Sequence, residues 1–355
     1  MGSRNQWIVP LAEAADCQQR LVGGKAAKLA QLRRAGFPVP NGFCVTTGAY
    51  ELFAAETGLA KYVAVELGRK SLDGMRWEEI WDTALRIRSE FLRAEIPRAL
   101  AEEIGRALED HVAGRAVAVR SSAPGEDSGQ MSFAGLHESI VGVQGADAVL
   151  DAVRTVWASL WSDAALLYRR ELSLDPLRSR MAVLVQEVRV EDCSGVAFGR
   201  DPRDPEADRA VIEAVPGQCS RLVDGAVDPD RWTLKRSSGE VVRWRPGQRG
   251  TELHEPLLDQ TDLESLLATM KRVEDLFAWP PDVEWTGRSA AMVLLQARPI
   301  TTGEAWRPPV VRRSASEADD GPVSVWTNMN VRENMPDPVH PLTWSVWRDT
   351  LVPVI

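Results

Sequence analysis

The sequence predicts an α+β fold of about two domains, and three observations lead there. Apolar residues recur at three- and four-residue spacing through "WEEIWDTALRIRSEFL" and "RALAEEIGRALEDH", the period of a helix. Short β-prone runs at 116–119, 139–143, 181–188 and 291–298 are separated by loops rich in Gly, Pro and Asp. The length of 355 residues exceeds what one small core serves. An apolar fraction of 44% with 26% charged residues is that of an ordinary globular chain. A formal net charge of −9 argues against a general binder of nucleic acid or of an anionic membrane surface. No run approaches the ~18 apolar residues of a membrane span. The cysteines Cys17, Cys44, Cys193 and Cys219 form no CxxC pair and read as free thiols in a reducing cytoplasm. A cytoplasmic protein is therefore expected.

The first informative stretch, from Leu21 to Arg34, is "LVGGKAAKLAQLRR". Residues 25–35 are good helix formers, Gly36 supplies a stop, and Pro38 and Pro40 prevent resumption. Gly23-Gly24-Lys25 then reads as a loop entering a helix. Amides at a helix N-terminus favour an anion, and glycines let the backbone approach it. Lysine is scarce, six against 36 arginines, which makes Lys25 conspicuous. A tight turn carrying a solvated lysine is the alternative. "PVPNGFCVTTGAYELF" follows as an extended segment, a Thr46 or Thr47 N-cap, and a helix containing Tyr50, Leu52 and Phe53. The helical stretch from 74 to 110 is scaffold.

From Ala116 the character changes. Ala116 to Val119 is a short strand ending in Arg120-Ser121-Ser122. An acidic, Gly- and Ser-rich loop of about a dozen residues comes next, far longer than the usual hairpin loop. Ser139 to Val143 returns as a strand. An arginine at a strand end, facing a flap of amides and hydroxyls, suits phosphate oxygens; a surface loop with a solvated arginine is the plainer reading. "MAVLVQEVRVEDCSGVAFGRDP" reads as a hairpin, with strands at 181–188 and 196–198. Residues 209–217 add a buried strand. "DVEWTGRSAAMVLLQARPIT" predicts strands at 282–286 and 291–298 around Gly287. Gln296 and Arg298 share a face, being two apart. Pairing of Trp285 with Ala291 would bring Glu284 to that face. A carboxylate, an amide oxygen and a guanidinium together suit a hard divalent cation bridging phosphates. An exposed hairpin face with an incidental Glu–Arg pair is the alternative.

Five blocks carry a family likeness: "VGGKAAKLAQLRRAGFPVPNGFCVTT", "AVRSSAPGEDSGQMSFAGLHES", "LVQEVRVEDCSGVAFGRDP", "IEAVPGQCSRLVDGAVDPDRW" and "DVEWTGRSAAMVLLQARPIT". In this order, over residues 18–302, the sequence resembles the ATP-binding domain of the superfamily of phosphoenolpyruvate synthase, pyruvate phosphate dikinase and rifampin phosphotransferase. The resemblance implies an ATP-grasp-like fold, two α+β lobes with ATP in the cleft between them. It implies phosphate contacts from Lys25 and Arg120, which are the catalytic candidates. It places flap contacts at Gly135 and Ser139, adenine recognition at Gln186, and a Mg²⁺ and triphosphate cluster at Glu284, Gln296 and Arg298. Glu284 and Gln296 are the implied metal ligands. Two departures stand out. The flap reads "SSAPGEDSGQMSFAG", richer in Gly than the family's usual form, and Pro216-Gly217-Gln218-Cys219 replaces a "GLGE"-like turn.

The resemblance also implies an organisation. Residues 1–303 would form the ATP-binding domain and 304–322 a Pro-, Arg- and acid-rich linker. Residues 323–355, opening with "VWTNMNVRENMPDPVHPLTWSVW", resemble the start of the substrate-binding domain of rifampin phosphotransferase, cut short. The family passes the β-phosphoryl of ATP to a histidine on a swivelling domain, releasing AMP and phosphate, and then to an acceptor. None of His111, His137, His254 and His340 has the "TxGGxxSH"-like setting of that histidine. His137 reads as a loop histidine. The expected function is therefore the MgATP-binding half of a phosphotransferase, with a phosphohistidine domain as partner and a small-molecule hydroxyl as acceptor. A phosphoenolpyruvate-synthase-like domain with pyruvate as acceptor and a non-catalytic nucleotide-binding module are the alternatives.

Overall fold

The computed structural model describes residues 6–124, 127–128, 131–132, 138–218, 222, 227–247 and 255–300. All of them fall in the first of two units of the chain, Met1–Thr302. The first part runs β1 (Ile8–Pro10), α1 (Gln19–Arg34), β2 (Gly42–Val45), α2 (Thr47–Glu56), α3 (Leu59–Gly68), α4 (Trp77–Arg93), α5 (Arg98–Val112) and β3 (Val117–Ser122). Two short strands follow, β4 (Asp127–Ser128) and β5 (Met131–Ser132), then β6 (Ser139–Val143), α6 (Ala146–Ser159), α7 (Asp163–Glu171) and β7 (Ala182–Glu187). The second part contains β8 (Cys193–Phe198), β9 (Arg209–Pro216), β10 (Asp230–Lys235), β11 (Val241–Arg245), α8 (Gln260–Phe277), β12 (Pro281–Thr286) and β13 (Val293–Pro299). Two antiparallel sheets result, in the orders β1-β2-β7-β3-β6 and β11-β10-β9-β8-β12-β13, while β4 and β5 pair with each other. The mixture of helix and antiparallel sheet is the α+β class that the sequence predicts. Among the described residues no helix is long and apolar enough to cross a membrane.

The central strands β2, β7 and β3 of the first sheet are buried on both faces, which explains why "AVLVQE" in β7 carries no polar alternation. Phe43, Val45, Val119, Val183 and Val185 point to a core shared with Phe53, Phe91 and Trp157 of the surrounding helices. Phe53 stacks on Trp157 with ring centroids 4.9 Å apart. Deleting a buried ring of this kind costs about 3–5 kcal/mol. On the opposite face, Cys44, Ala182 and Leu184 pack with Val22, Ala26 and Leu29 of α1. The same core takes in Ala197, Ile212, Trp285 and Leu294 of the second sheet, with Leu266 and Met270 of α8. Helix α1 is thus packed between the two sheets. Cys17, Cys44 and Cys193 are free thiols, as expected, and Cys219 lies outside the described residues.

Helix α1 starts at Gln19, six residues earlier than the composition suggests, and is broken at Gly23, whose φ of 76° and ψ of 173° are not helical. Into the break goes the hydroxyl of Ser122. It donates to the Val22 carbonyl at 2.8 Å and accepts from the Ala26 amide at 3.1 Å. These two groups would otherwise bond each other one helical turn apart, so a side chain from β3 replaces a rung of the helix. The Gly24 amide donates to the Ala123 carbonyl at 3.1 Å. A Cβ on Gly23 would lie 1.7 Å from the Ser122 carbonyl oxygen. The glycines therefore serve contact between helix and strand. Of the amides in the expected Gly23-Gly24-Lys25 anion loop, that of Gly24 is taken up by the Ala123 carbonyl. At the other end, Phe37 donates to the Leu32 carbonyl and Gly36 to that of Arg33, with Gly36 at φ +82°. This is a Schellman cap, and it ends α1 where the sequence places its stop.

Two other expectations are corrected. Residues 181–198 do not form a hairpin. Strand β7 pairs with β2 and β3 in the first sheet, while β8 pairs with β9 and β12 in the second. The segment after Glu187 therefore crosses between sheets. In the last hairpin Trp285 faces Leu294, and Glu284 faces Gln296. Residues 289–291 form a 3-10 turn, so Ala291 is not in the strand. The Thr46 N-cap is as expected, its side chain accepting from the Ala49 amide.

Replacing Gly23 by Ala is expected to destabilise the fold by about 2–4 kcal/mol, since it combines a backbone clash with a left-handed φ. Urea unfolding with an unchanged midpoint would show that α1 can move off β3.

Candidate functional site

The side chain that joins the two sheets is Arg120. It lies within β3, not at its end, on the face that carries Ala118 and Ser122. Its Nη2 donates to Glu284 Oε2 on β12 at 3.0 Å, and its Nη1 to the Leu295 carbonyl on β13 at 3.2 Å. Side-chain exposure is 17% for Arg120 and 12% for Glu284, so the pair is shielded from solvent. Leu295 is skipped in the β12–β13 register, where the ladder shifts between Glu284 and Trp285. Strand β13 is also the edge of its sheet. Its free backbone is covered from the first sheet's side by Arg120 and by Pro38, whose carbonyl takes the Leu294 amide at 2.9 Å.

Lys25 is brought to the same strand by the break in α1, and its Nζ donates to Ser121 Oγ at 3.1 Å. Ser121 is the residue after Arg120, and period-two alternation turns its side chain to the other face of β3. Lys28, three residues on, instead lies over the Trp279 ring at 5.5 Å. Ser139 faces Arg120 across the β3–β6 ladder and is exposed. Gln186 is on the same face of β7 as Leu184 and is 2% exposed. Among the described residues its Nε2 has no hydrogen-bond partner. A buried amide left without a partner costs about 1–3 kcal/mol. Gly135 lies outside the described residues, as does His137.

On β12 and β13, Glu284 faces Gln296 and Asp282 faces Arg298. Period-two alternation puts all four on one face. Arg298 Nε donates to Asp282 Oδ2 at 2.7 Å. The convergence of Glu284, Gln296 and Arg298 thus arises through a different register from the expected one. Asp282 is the member that sequence reasoning missed. Its signal was available: a carboxylate two residues before Glu284 in the same strand. The polar face extends across the sheet from Glu284 through Val196 to Glu213 and Arg231. Glu213 and Arg231 form an ion pair at 3.1 Å. Burial raises the Glu213 carboxyl above the usual range, Arg231 and Arg203 oppose that rise, and Asp228 and Asp282 add to it. The turn that departs from the family's pattern begins where β9 ends, and there the Gly217 amide donates to the Asp192 carbonyl at 2.9 Å.

The arrangement offers two cations on one sheet, a carboxylate and an amide facing each other on a second, and an orphaned amide near the crossover between them. This residue set has the chemistry that suits phosphate oxygens. In comparison with known proteins, the family model for the pyruvate phosphate dikinase AMP/ATP-binding domain matches residues 19–318. The chain belongs to this family. A phosphoenolpyruvate synthase of Aeropyrum pernix is 34% identical over 333 residues, covering 79% of this chain and 40% of that protein. A rifampicin phosphotransferase of Streptomyces sviceus is 33% identical over 364 residues, covering 97% of this chain and 40% of that protein. A probable phosphoenolpyruvate synthase of Methanothermobacter thermautotrophicus is 33% identical and covers 80% of this chain. The chain thus spans less than half the length of these relatives.

The Glu213 carboxyl gives a pH signature. Its proton is held more tightly in the folded state than in the unfolded chain, so the native state binds more protons just above the ordinary carboxylate range. Stability is expected to fall as pH rises through that window, and Glu213→Gln to flatten the fall. Denaturation midpoints measured from acid to neutral pH check this; the same slope in the variant would assign the effect to other groups.

Proposed function

We propose that the cleft between the two sheets holds MgATP and that the chain is the nucleotide-binding half of a phosphotransferase with an ATP-grasp-like fold. The observation that supports this reading is Arg120, which stands on β3 of the first sheet and bonds Glu284 and the Leu295 carbonyl of the second. Lys25 and Arg120 would hold phosphate oxygens, with Ser139 and Gly135 closing over them from the flap. Gln186, with its unpaired Nε2, would meet the adenine. Glu284 and Gln296 fit Mg²⁺, since they set two hard oxygen donors opposite each other, and such an ion commonly takes only one or two protein ligands besides phosphates and water. When bound, the ion would neutralise charge developing on the phosphates. Arg298, steered by Asp282, would add a further positive charge beside them. The catalytic contribution of Lys25 and Arg120 is then placement of the phosphates and stabilisation of charge on the transferred group.

By analogy with its relatives, the β-phosphoryl would pass to a histidine on a separate swivelling domain and then to a small-molecule hydroxyl, leaving AMP and phosphate. A rifampicin-phosphotransferase-like layout is favoured because that alignment spans 97% of the chain, against 79% for the phosphoenolpyruvate synthase of Aeropyrum pernix. The latter reading would make pyruvate the acceptor.

Calorimetry is expected to show MgATP binding to this chain, and Lys25→Ala and Arg120→Ala each to lose about 1.5–3 kcal/mol of binding energy, the scale of a charge-assisted hydrogen bond. No heat at millimolar-scale nucleotide would remove the proposal. With β-³²P-labelled ATP the chain alone is expected to form no stable phosphohistidine and little AMP. Addition of a phosphohistidine domain from a relative should release AMP and phosphate and label that domain. Rapid AMP formation by the lone chain would mean that the accepting residue lies within it.

A further inference from the structure

A cavity of about 1010 Å³ opens beside the end of β3 in the first sheet. Its wall includes Ala123 and Pro124, which continue β3, and the first turn of α1, but none of the eight residues assigned above to the nucleotide. Arg20, Arg169, Arg178 and Arg180 line it, against two carboxylates, Glu51 and Asp175. Both carboxylates are engaged: Glu51 with Arg180, and Asp175 with Arg178 at 3.4 Å. In a chain of net charge −9, this wall carries excess positive charge.

Arg169 on α7 is the unusual member. It is 3% exposed, and among the described residues no carboxylate lies within ion-pair distance. Its Nη1 donates to the Leu160 carbonyl at 2.7 Å, and its guanidinium sits 5.9 Å from the Trp161 ring centroid. One carbonyl engages one of five N–H groups. Burial lowers its affinity for the proton, to a pKa of about 10, yet it stays charged at neutral pH. Removing a cation from water without a counter-charge is costly, and chains seldom keep such a group without a use for it. Thr47, at the start of α2, and Gln18 add polar wall on the same side.

We infer that this cavity is a second anion site, built around Arg169, that takes the phosphate or carboxylate group of a small molecule. The guanidinium supplies a fork that suits two oxygens of one oxyanion. Arg20 and Arg178 at the mouth draw the anion in, with an ionic-strength dependence typical of exposed charges. The site is separate from the nucleotide cleft and stands whether or not the cleft takes ATP.

The probe is inorganic phosphate, with malonate as the carboxylate arm, read by the thermal midpoint of the whole chain at fixed ionic strength. Phosphate is expected to raise the midpoint of the wild type and of Arg120→Ala, and to do so at least tenfold less effectively in concentration for Arg169→Met. A response to malonate as well as phosphate identifies a general oxyanion site; a response to phosphate alone narrows the ligand to phosphoryl groups. The Arg20→Ala/Arg178→Ala double variant changes exposed side chains only and is expected to weaken phosphate about threefold or more. It tests the site even if Arg169→Met does not fold. Loss of the phosphate effect in Arg120→Ala with retention in Arg169→Met, or an undiminished effect in the double variant, would overturn the inference. So would the absence of any response to either anion in the wild type.

Discussion

The close approach of α1 to β3 organises the first sheet and everything mounted on it. Ser122 occupies a rung of the helix, and only a residue without Cβ can stand at position 23 while it does so. The consequence for the site is positional. The break sets the register of the helix after Gly23, and that register brings Lys25 to Ser121 and turns Lys28 toward Trp279. The lower half of α1 then offers Leu29, Ala30 and Leu32 to the core between the sheets. One hydroxyl thus couples the local geometry of Lys25 to the packing of two sheets. A loss of that contact would be felt both as instability and as a misplaced ammonium group.

Arg120 performs the corresponding task between the sheets. Its guanidinium satisfies an edge-strand carbonyl and a carboxylate at once, and both belong to the second sheet. A buried pair of this kind adds little net stability, because desolvation offsets the attraction. Its value lies in specificity of position: a planar fork held at two points has one orientation. The bulge at Leu295 supplies the carbonyl and at the same time sets Glu284 opposite Gln296. The irregularity in the ladder is therefore part of how the cleft is built.

Much of the first part of the fold was legible because its signals are local. The N-cap at Thr46, the cap at Gly36 and the helices from 77 to 112 follow from residue type and period alone. The partners of strands are a different matter. "AVLVQE" and "CSGVAF" are apolar on both faces, so nothing in either run says which strand lies beside it, and a short polar segment between them imitates a hairpin. The same limit applies to Glu284 and Gln296. Period two brings their face into view, but "MVLLQARP" contains no mark of the skipped residue. The glycines at 23 and 24 were visible, yet their use depends on Ser122, about a hundred residues away, and long-range contacts of that kind leave no trace in a local window. Ser121, Asp282 and Arg169 were overlooked for a related reason: each acquires meaning only from the group it meets.

The cleft's polar groups are unequally satisfied, and the inequality has a direction. Arg120 and Glu284 neutralise each other, as do Arg298 and Asp282, so the charged members are held in place by one another. Gln186 has no such substitute for its Nε2. A ligand with phosphates at one end and a ring acceptor at the other would trade the ion pairs for new ones, at little net electrostatic change, since each charge keeps a counter-charge. The uncompensated gain would come at Gln186, whose Nε2 has no partner among the described residues. Affinity for the ring and tolerance of the charged end are thereby divided between the two ends of the cleft. On the proposed reading, the charged end could then let a phosphate group leave without forfeiting the energy that holds the nucleotide.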